Sequence, residues 1–180
     1  MRVPPLVGRA KATAAALGFG QSCRDEDGML LHVLASRRGI ERVAEIGTGR
    51  SGVGTAWLAS ALPPGIPLHT AERDEHLAAA AAKLFEDDPD VEVLYGDWPE
   101  VLPAHAPFDL IFVDGGRAKD DPDAVLALAA PGATIVLDDF SSDWGRPDPR
   151  RDGWLAHPRL AAVEVGTGQT ARVIVAVVRC

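Results

Sequence analysis

Three aspartates close two apolar runs. Asp114 ends FDLIFVD (108–114), and Asp138-Asp139 end ATIVLDD (133–139). If these runs are neighbouring strands, all three carboxylates gather at one end of a sheet. Oxygen-only ligands suit Mg²⁺, Ca²⁺ or Mn²⁺, and clustered carboxylates repel one another without a cation. In the alternative reading Asp114 only hydrogen-bonds a ligand, while Asp138 or Asp139 caps the following turn. Upstream, Gly47-Thr48-Gly49-Arg50-Ser51-Gly52 fits G-x-G-x-x-G. Such glycines permit a tight turn and close approach of a ligand to the backbone. A helix starting here would add unsatisfied N–H groups. The pattern is weak by itself and gains weight from its place between a strand and a helix. Glu72 follows Gly52 by 20 residues, where an acid can accept from both hydroxyls of a ribose. Asp74 is the better cap for the next helix, which leaves Glu72 free.

Glu45 stands two residues before the first glycine. Beside a pyrophosphate its charge would be repulsive and costly in a desolvated pocket. Beside an ammonium it would be favourable. S-adenosylmethionine offers a ribose, an ammonium and a sulfonium, and no phosphate. Glu45 therefore favours it over NAD.

These residues need a scaffold that brings distant strand ends together. RVAEI (42–46), IPLHTAE (66–72), VEVLYG (91–96), FDLIFVD and ATIVLDD read as five strands. GVGTAWLASAL (52–62), stopped by Pro63-Pro64-Gly65, reads as a helix. So does DEHLAAAAAKLFED (74–87), Ala-rich and acidic in its first turn. DPDAVLALAA (121–130) predicts a helix ending near Pro131-Gly132. Residues 25–39 have helical spacing, and the first 20 residues read as an arm with a small helix. The βαβα rhythm implies an α/β fold with a doubly wound, mostly parallel sheet. LAAVEVG (160–166) and ARVIVAVVR (171–179) are separated only by TGQT, which allows a hairpin but no parallel crossover. The expected organisation is a single domain over 1–180. Its parts are an arm and helices in 1–40, a cofactor-binding core in 41–139, a candidate lid in 140–158 and an antiparallel hairpin in 159–180. The 140–158 segment carries Trp144, Trp154, Arg150 and Arg151. It leaves from the sheet edge where ligands bind in such folds, and reads either as a substrate wall or as a connection with two core tryptophans.

VAEIGTGRSGVGTAWLA, HTAERD, LYGDWPEVL, FDLIFVDGG and GATIVLDDF, in this order, resemble successive motifs of the class I S-adenosylmethionine-dependent methyltransferases. The resemblance covers about residues 22–180 and is nearest to small-molecule O-methyltransferases of the catechol and caffeoyl-CoA type. It implies a seven-stranded Rossmann-like sheet. It implies that Glu45 and Gly47, with Thr48, Gly49 and Gly52, meet the methionine part of the cofactor. Glu72 and Arg73 would lie at the ribose, and Gly96, Asp97 and Trp98 around adenine. Trp98 would stack on the base or serve as core. The glycine loop is one residue longer than the compact loop of that group, which leaves Arg50 and Ser51 unassigned. Metal-dependent members carry an Asp after the fourth strand and an Asp-Asn pair after the fifth. Here the pair is Asp138-Asp139, which keeps the oxygen ligands and adds charge. The implied activity is O-methylation of a small-molecule hydroxyl, with Mg²⁺ or another divalent cation on Asp114, Asp138 and Asp139. Catechol-type relatives place a lysine three residues after the first of these aspartates. That position here is Arg117, which cannot lose its proton. Lys119, Asp139 and His157 remain as candidate bases, the plainer reading of Lys119 being a solvated loop lysine. By analogy the protein would be a homodimer.

Composition sets outer bounds. The 180-residue chain carries a net charge of −8 and has a pI near 5.0, so nucleic acid is not an expected partner. No apolar run approaches the ~20 residues of a membrane helix. Cys23 and Cys180 are the only cysteines and make neither a zinc site nor a disulfide framework, which fits a cytoplasmic protein. Cys23 reads as a small hydrophobe. His32, His69, His76 and His105 show no metal spacing and read as core or surface residues. Two rival functions stand: an NAD-dependent oxidoreductase, and a non-catalytic module that binds S-adenosylmethionine.

Overall fold

A computed structural model describes residues 2–16, 18, 23–49, 51–115, 117–141, 147–168 and 171–179. Among these described residues seven strands form: β1 (Val43–Ile46), β2 (Leu68–Glu72), β3 (Val91–Tyr95), β4 (Phe108–Val113), β5 (Ala129–Ser141), β6 (Leu160–Gly166) and β7 (Ala171–Val178). They make one sheet in the order β3-β2-β1-β4-β5-β7-β6. Neighbours from β3 to β5 are parallel. Strand β7 runs antiparallel to both β5 and β6, the terminal hairpin expected from the short TGQT link. The helices are α1 (Pro5–Ala16), α2 (Asp25–Ala35), α3 (Val53–Ala59), α4 (Glu75–Leu84), α5 (Trp98–Val101), α6 (Pro122–Leu126) and α7 (Pro149–Leu155). Among the described residues no helix is long and apolar enough to cross a membrane.

The apolar runs become strands because both faces are covered. On one face Ile111, Val113, Ile135 and Leu137 pack with α6 and with Trp154 of α7. On the other, Leu110, Phe112 and Val136 pack with Leu31 of α2 and Leu58 of α3. Burying a Leu, Ile or Phe side chain contributes about 1.5–3 kcal/mol, so this register is strongly fixed. The chain leaves β1 toward β2 and β3, then returns to β4 on the other side of β1. The reversal opens a crevice at the carboxyl ends of β1 and β4.

Two expectations about elements change. The helix expected over 121–130 stops at Leu126, and Ala129 already pairs with Phe108 of β4. The amide of Phe108 donates to the Leu128 carbonyl at 2.9 Å, so the ladder captures residues that helical spacing alone would keep in the helix. Pro131-Gly132 is then an irregularity near the start of β5, where pairing slips from Phe108–Ala129 to Leu110–Thr134. The 140–158 segment also holds α7, whose N-terminus is capped by Asp148 accepting from the amides of Arg150 and Arg151. Trp154 is fully buried, and its Nε1 donates to the Lys119 carbonyl at 3.0 Å. It is core, not substrate wall. Trp144 lies outside the described residues.

Candidate active site

A cavity of about 490 Å³ opens at the crevice between β1 and β4, a size suited to a small ligand. Gly47 and Gly49 of the glycine loop form one wall, Glu72 and Arg73 after β2 the next, and Gly96, Asp97 and Trp98 after β3 the far side. Asp114, Gly115 and Arg117 line it after β4, and Arg150 reaches it from α7. The loop is tied down on both sides. The amides of Gly47 and Thr48 donate to the Ala71 carbonyl, and those of Asp114 and Gly115 to the Ile46 carbonyl. Gly47 has φ +90°, and a Cβ there would stand 2.8 Å from the Gly115 nitrogen. Only glycine meets both demands. Asp74 caps α4 by accepting from the amides of His76 and Leu77. Glu72 Oε1 accepts from the Asp74 amide at 2.9 Å; among the described residues no such bond engages its Oε2.

Glu45, Thr48 and Gly52 stand behind this wall. Glu45 is fully buried. Its Oε2 accepts from Thr70 Oγ1 at 2.7 Å and from Thr55 Oγ1, while Thr48 Oγ1 bonds Thr70 Oγ1 at 2.6 Å. Among the described residues its Oε1 has no hydrogen-bond partner. Burial pushes this carboxyl up to about 7 against the pull of the two threonine hydroxyls. Gly52, at φ +60°, starts α3 where a Cβ would stand 2.7 Å from the Phe85 ring. Its role in this geometry is packing of α3 against the end of α4.

The three aspartates do converge. Val113 pairs with Leu137 across β4 and β5, so Asp114 and Asp138 leave the sheet side by side. Carboxylate oxygens of Asp114, Asp138 and Asp139 all lie within 4.8 Å of one another. Asp139 has φ +59°, a left-handed conformation that costs energy for a residue with a Cβ. Lys119 enters this group. It is 6% exposed, its Nζ donates to Asp138 Oδ1 at 2.9 Å, and it lies 5.9 Å from the Phe140 ring centroid. The solvated reading of Lys119 is therefore overturned. Burial, then Asp138 and Glu45, raise the Asp114 carboxyl well above the usual range. Burial likewise raises Asp138 to about 6, opposed by Lys119.

The family model of the methyltransferase domain matches residues 44–140, which run from the glycine loop through the last aspartate. The chain belongs to the methyltransferase domain family. Protein-L-isoaspartate O-methyltransferase of Aeropyrum pernix is 34% identical over 126 residues, covering 67% of this chain and 47% of that protein. Catechol O-methyltransferase of Niastella koreensis is 31% identical over 132 residues, covering 68% and 59%. The chain spans about half the length of these curated relatives. The structure of the O-methyltransferase TomG from Streptomyces achromogenes, involved in tomaymycin synthesis and solved in complex with SAM, matches with a TM-score of 0.81 at 27% identity. It covers 99% of this chain and 92% of that one. These likenesses give the NAD-dependent reading no support.

Within the methyltransferase domain, the expected binding residues divide into cavity lining and support. Gly47, Gly49, Glu72, Arg73, Gly96, Asp97, Trp98 and Asp114 line the cavity, whereas Glu45, Thr48 and Gly52 do not. His157 is turned away, paired with Asp123 at 3.4 Å. Arg50 lies outside the described residues. Asp27 went unnoticed in the sequence. This buried acid of α2 accepts from Thr167 Oγ1, and its carboxyl is raised by burial and, among its charged neighbours, by Asp139. An acid in the first turn of a helix is ordinary, so no sequence signal separates this one from a cap. Cys23 is half-buried against the α2 and α3 clusters, as a small hydrophobe would be. Burial, and next Asp138, raise its thiol well above the usual range.

Proposed function

We propose that this protein transfers the methyl group of S-adenosylmethionine to a hydroxyl of a small molecule. The observation that carries this reading is one cavity lined by ribose-type and base-type groups (Glu72, Asp97, Trp98) and by Asp114, with Asp138, Asp139 and, through Asp138, Lys119 grouped beside that aspartate. In the reaction the acceptor oxygen forms a bond to the methyl carbon while the carbon–sulfur bond breaks. The hydroxyl proton leaves to a base, and S-adenosylhomocysteine is the product.

The Glu72 oxygen left open by the Asp74 amide would accept from the ribose hydroxyls. Asp97 would accept from the adenine amino group, and the half-buried Trp98 would cover the base. Lys119 is the nearest amine to the reacting end, and we assign it to holding the acceptor oxygen and moving its proton, with Asp139 as the second candidate. A carboxylate acceptor would meet three carboxylates of like sign, which favours a hydroxyl. The three aspartates also fit a divalent cation: their oxygens converge, the donor set is oxygen-only, and burial first, with neighbouring acids adding to it, raises Asp114 and Asp138. When bound, such an ion would lower the pKa of the acceptor hydroxyl.

The test is formation of S-adenosylhomocysteine from S-adenosylmethionine over a panel of catechols and other phenols. Thermal shift with S-adenosylhomocysteine against NAD is run alongside, because a true ligand raises stability as RT ln(1+[L]/Kd). The expected result is a melting shift with S-adenosylhomocysteine only, and turnover that falls in EDTA and returns with Mg²⁺. A shift without turnover on any acceptor would leave a binding module, and unchanged turnover in EDTA would remove the metal from the scheme. Lys119→Ala should lower kcat by about 10²-fold or more; intact turnover would clear Lys119 of the base role.

A further inference from the structure

The sheet carries a second ligand-like cluster at the other end of its strands. His69 of β2 and Glu92 of β3 are direct register partners, so their side chains rise on the same face. His105 ends a 3-10 turn, Pro103–His105, after α5. Its carbonyl is held by Arg42 Nη1 at 2.9 Å, and its amide donates to the Leu102 carbonyl at 2.9 Å. The backbone thus fixes where the third side chain arrives.

We propose that His69, Glu92 and His105 form a binding site for a late first-row divalent ion, with Zn²⁺ as the natural occupant. His69 Nδ1 lies 3.1 Å from Glu92 Oε2, and His105 Nδ1 lies 4.0 Å from the same oxygen. One donor atom from each residue can be chosen so that all lie within 4.8 Å of one another. Zinc binds nitrogen and oxygen at about 2.0–2.2 Å, which sets tetrahedral donors about 3.4 Å apart. The three donors need only small side-chain adjustments to reach that spacing. The two imidazole rings are 4.1 Å apart, centroid to centroid, at a 37° tilt, partly stacked, with one Glu92 oxygen within 4.0 Å of both Nδ1 atoms.

Donor type separates this site from the aspartate group. Two imidazoles and one carboxylate suit Zn²⁺, Ni²⁺ or Cu²⁺, whereas carboxylates alone suit Mg²⁺. Access is also built in. The His69 side chain is 10% exposed, His105 28% and Glu92 56%. An ion can enter from solvent, and a water can take a fourth position, as in three-ligand zinc sites. Strand β3 is an edge strand. An ion here would clip it to β2 and to the turn after α5, the elements that carry Gly96, Asp97 and Trp98. An ordinary cross-strand His–Glu hydrogen bond is the competing description of the same residues.

The full chain, stripped with EDTA and dialysed, is titrated calorimetrically with ZnCl₂ and followed by thermal shift. An Asp114→Asn background keeps the aspartate group from competing. The expected result is one Zn²⁺ per chain, a raised melting temperature, and an affinity at least about ten-fold weaker in Glu92→Gln and in His105→Ala. Both substitutions fall on partly exposed side chains, so folding is preserved. Co²⁺ in place of Zn²⁺ should give a visible d–d band that both variants lose and excess Mg²⁺ leaves intact. Equal zinc affinity in the parent and both variants would overturn the site, as would zinc binding that disappears with Asp114→Asn alone. None of these readouts depends on methyl transfer.

Discussion

The two ends of the parallel sheet gather ionisable side chains by the same device and with opposite electrostatics. At the carboxyl end, neighbouring strands β4 and β5 place Asp114 beside Asp138 and Asp139. At the amino end of β2 and β3, cross-strand pairing sets His69 against Glu92. The first group runs from buried Asp138 and Lys119 to exposed Asp139 and carries three acids against one lysine, and the carboxyls of Asp114 and Asp138 are pushed upward. The second is half-exposed and mixes imidazoles with one acid. Repulsion between like charges in a low dielectric costs stability and is tolerated where chemistry needs it. The carboxyl end has that character, and the amino end does not.

The largest effects should come from breaking the carboxyl end. Asp114→Asn should lower turnover by about 10²–10³-fold without lowering the melting temperature, because it removes one of several mutually repelling acids. Asp138→Asn should abolish turnover and also destabilise the fold by about 3–5 kcal/mol, since Lys119 loses its partner while buried. His105→Ala should leave turnover within about two-fold. Kinetics with scanning calorimetry on all three checks this. If both aspartate variants melt alike, Lys119 is not held by Asp138 in the way the 2.9 Å contact indicates.

The pH dependence of stability should carry opposite signs at the two ends. An unfolded Glu releases its proton near 4.5, whereas folded Glu45 holds it to about 7. The folded state binds more protons between these values, so stability falls as pH rises through that window. Asp138, lifted from 3.8 to about 6, acts in the same direction over its own window. His69 acts the other way. Burial, and next the neighbouring His105, hold it below the ordinary 6.5. The unfolded chain takes the proton first as pH falls below about 6.5, and stability is lost on acidification there. The ligand-free protein should melt about 3 °C higher near pH 6 than near pH 7.5, since the raised carboxyls outweigh one histidine. His69→Gln should steepen the rise. A His69→Gln profile that overlays the wild type would show that this imidazole does not contribute.

Most of the scaffold was legible because its causes are local or periodic. The five parallel strands announced themselves as apolar runs. Asp74 announced the start of α4, and the short TGQT link excluded a parallel final strand. The end of α6 was not legible, because strand pairing through Phe108 and Leu128 overrides helical spacing. At the site, sequence placed the three aspartates at strand ends, and register then set them together. It did not place Lys119, whose burial depends on Trp154 of α7 holding the Lys119 carbonyl. Nor did it show that Glu45 would be held by Thr55 and Thr70 from behind the cavity wall. The pairing of His69 with His105 was invisible for a similar reason: 36 residues and a strand crossover separate them, and no spacing rule spans that.

The smallest effect tests how far the carboxyl-end site extends. Arg150 lines the cavity from α7 and pairs with Asp120, both side chains about half exposed. Such a pair contributes about 0–1 kcal/mol, so Arg150→Ala should move the melting temperature by about 2 °C at most. If α7 forms a wall of the acceptor pocket, the same change should raise KM for the acceptor several-fold while KM for S-adenosylmethionine and kcat hold. Removing a contact made equally in ground and transition states has that signature. A rise confined to the KM of S-adenosylmethionine would instead put Arg150 over the nucleoside, beside Arg73 and Asp97. The acceptor would then be held at the aspartate group, away from α7.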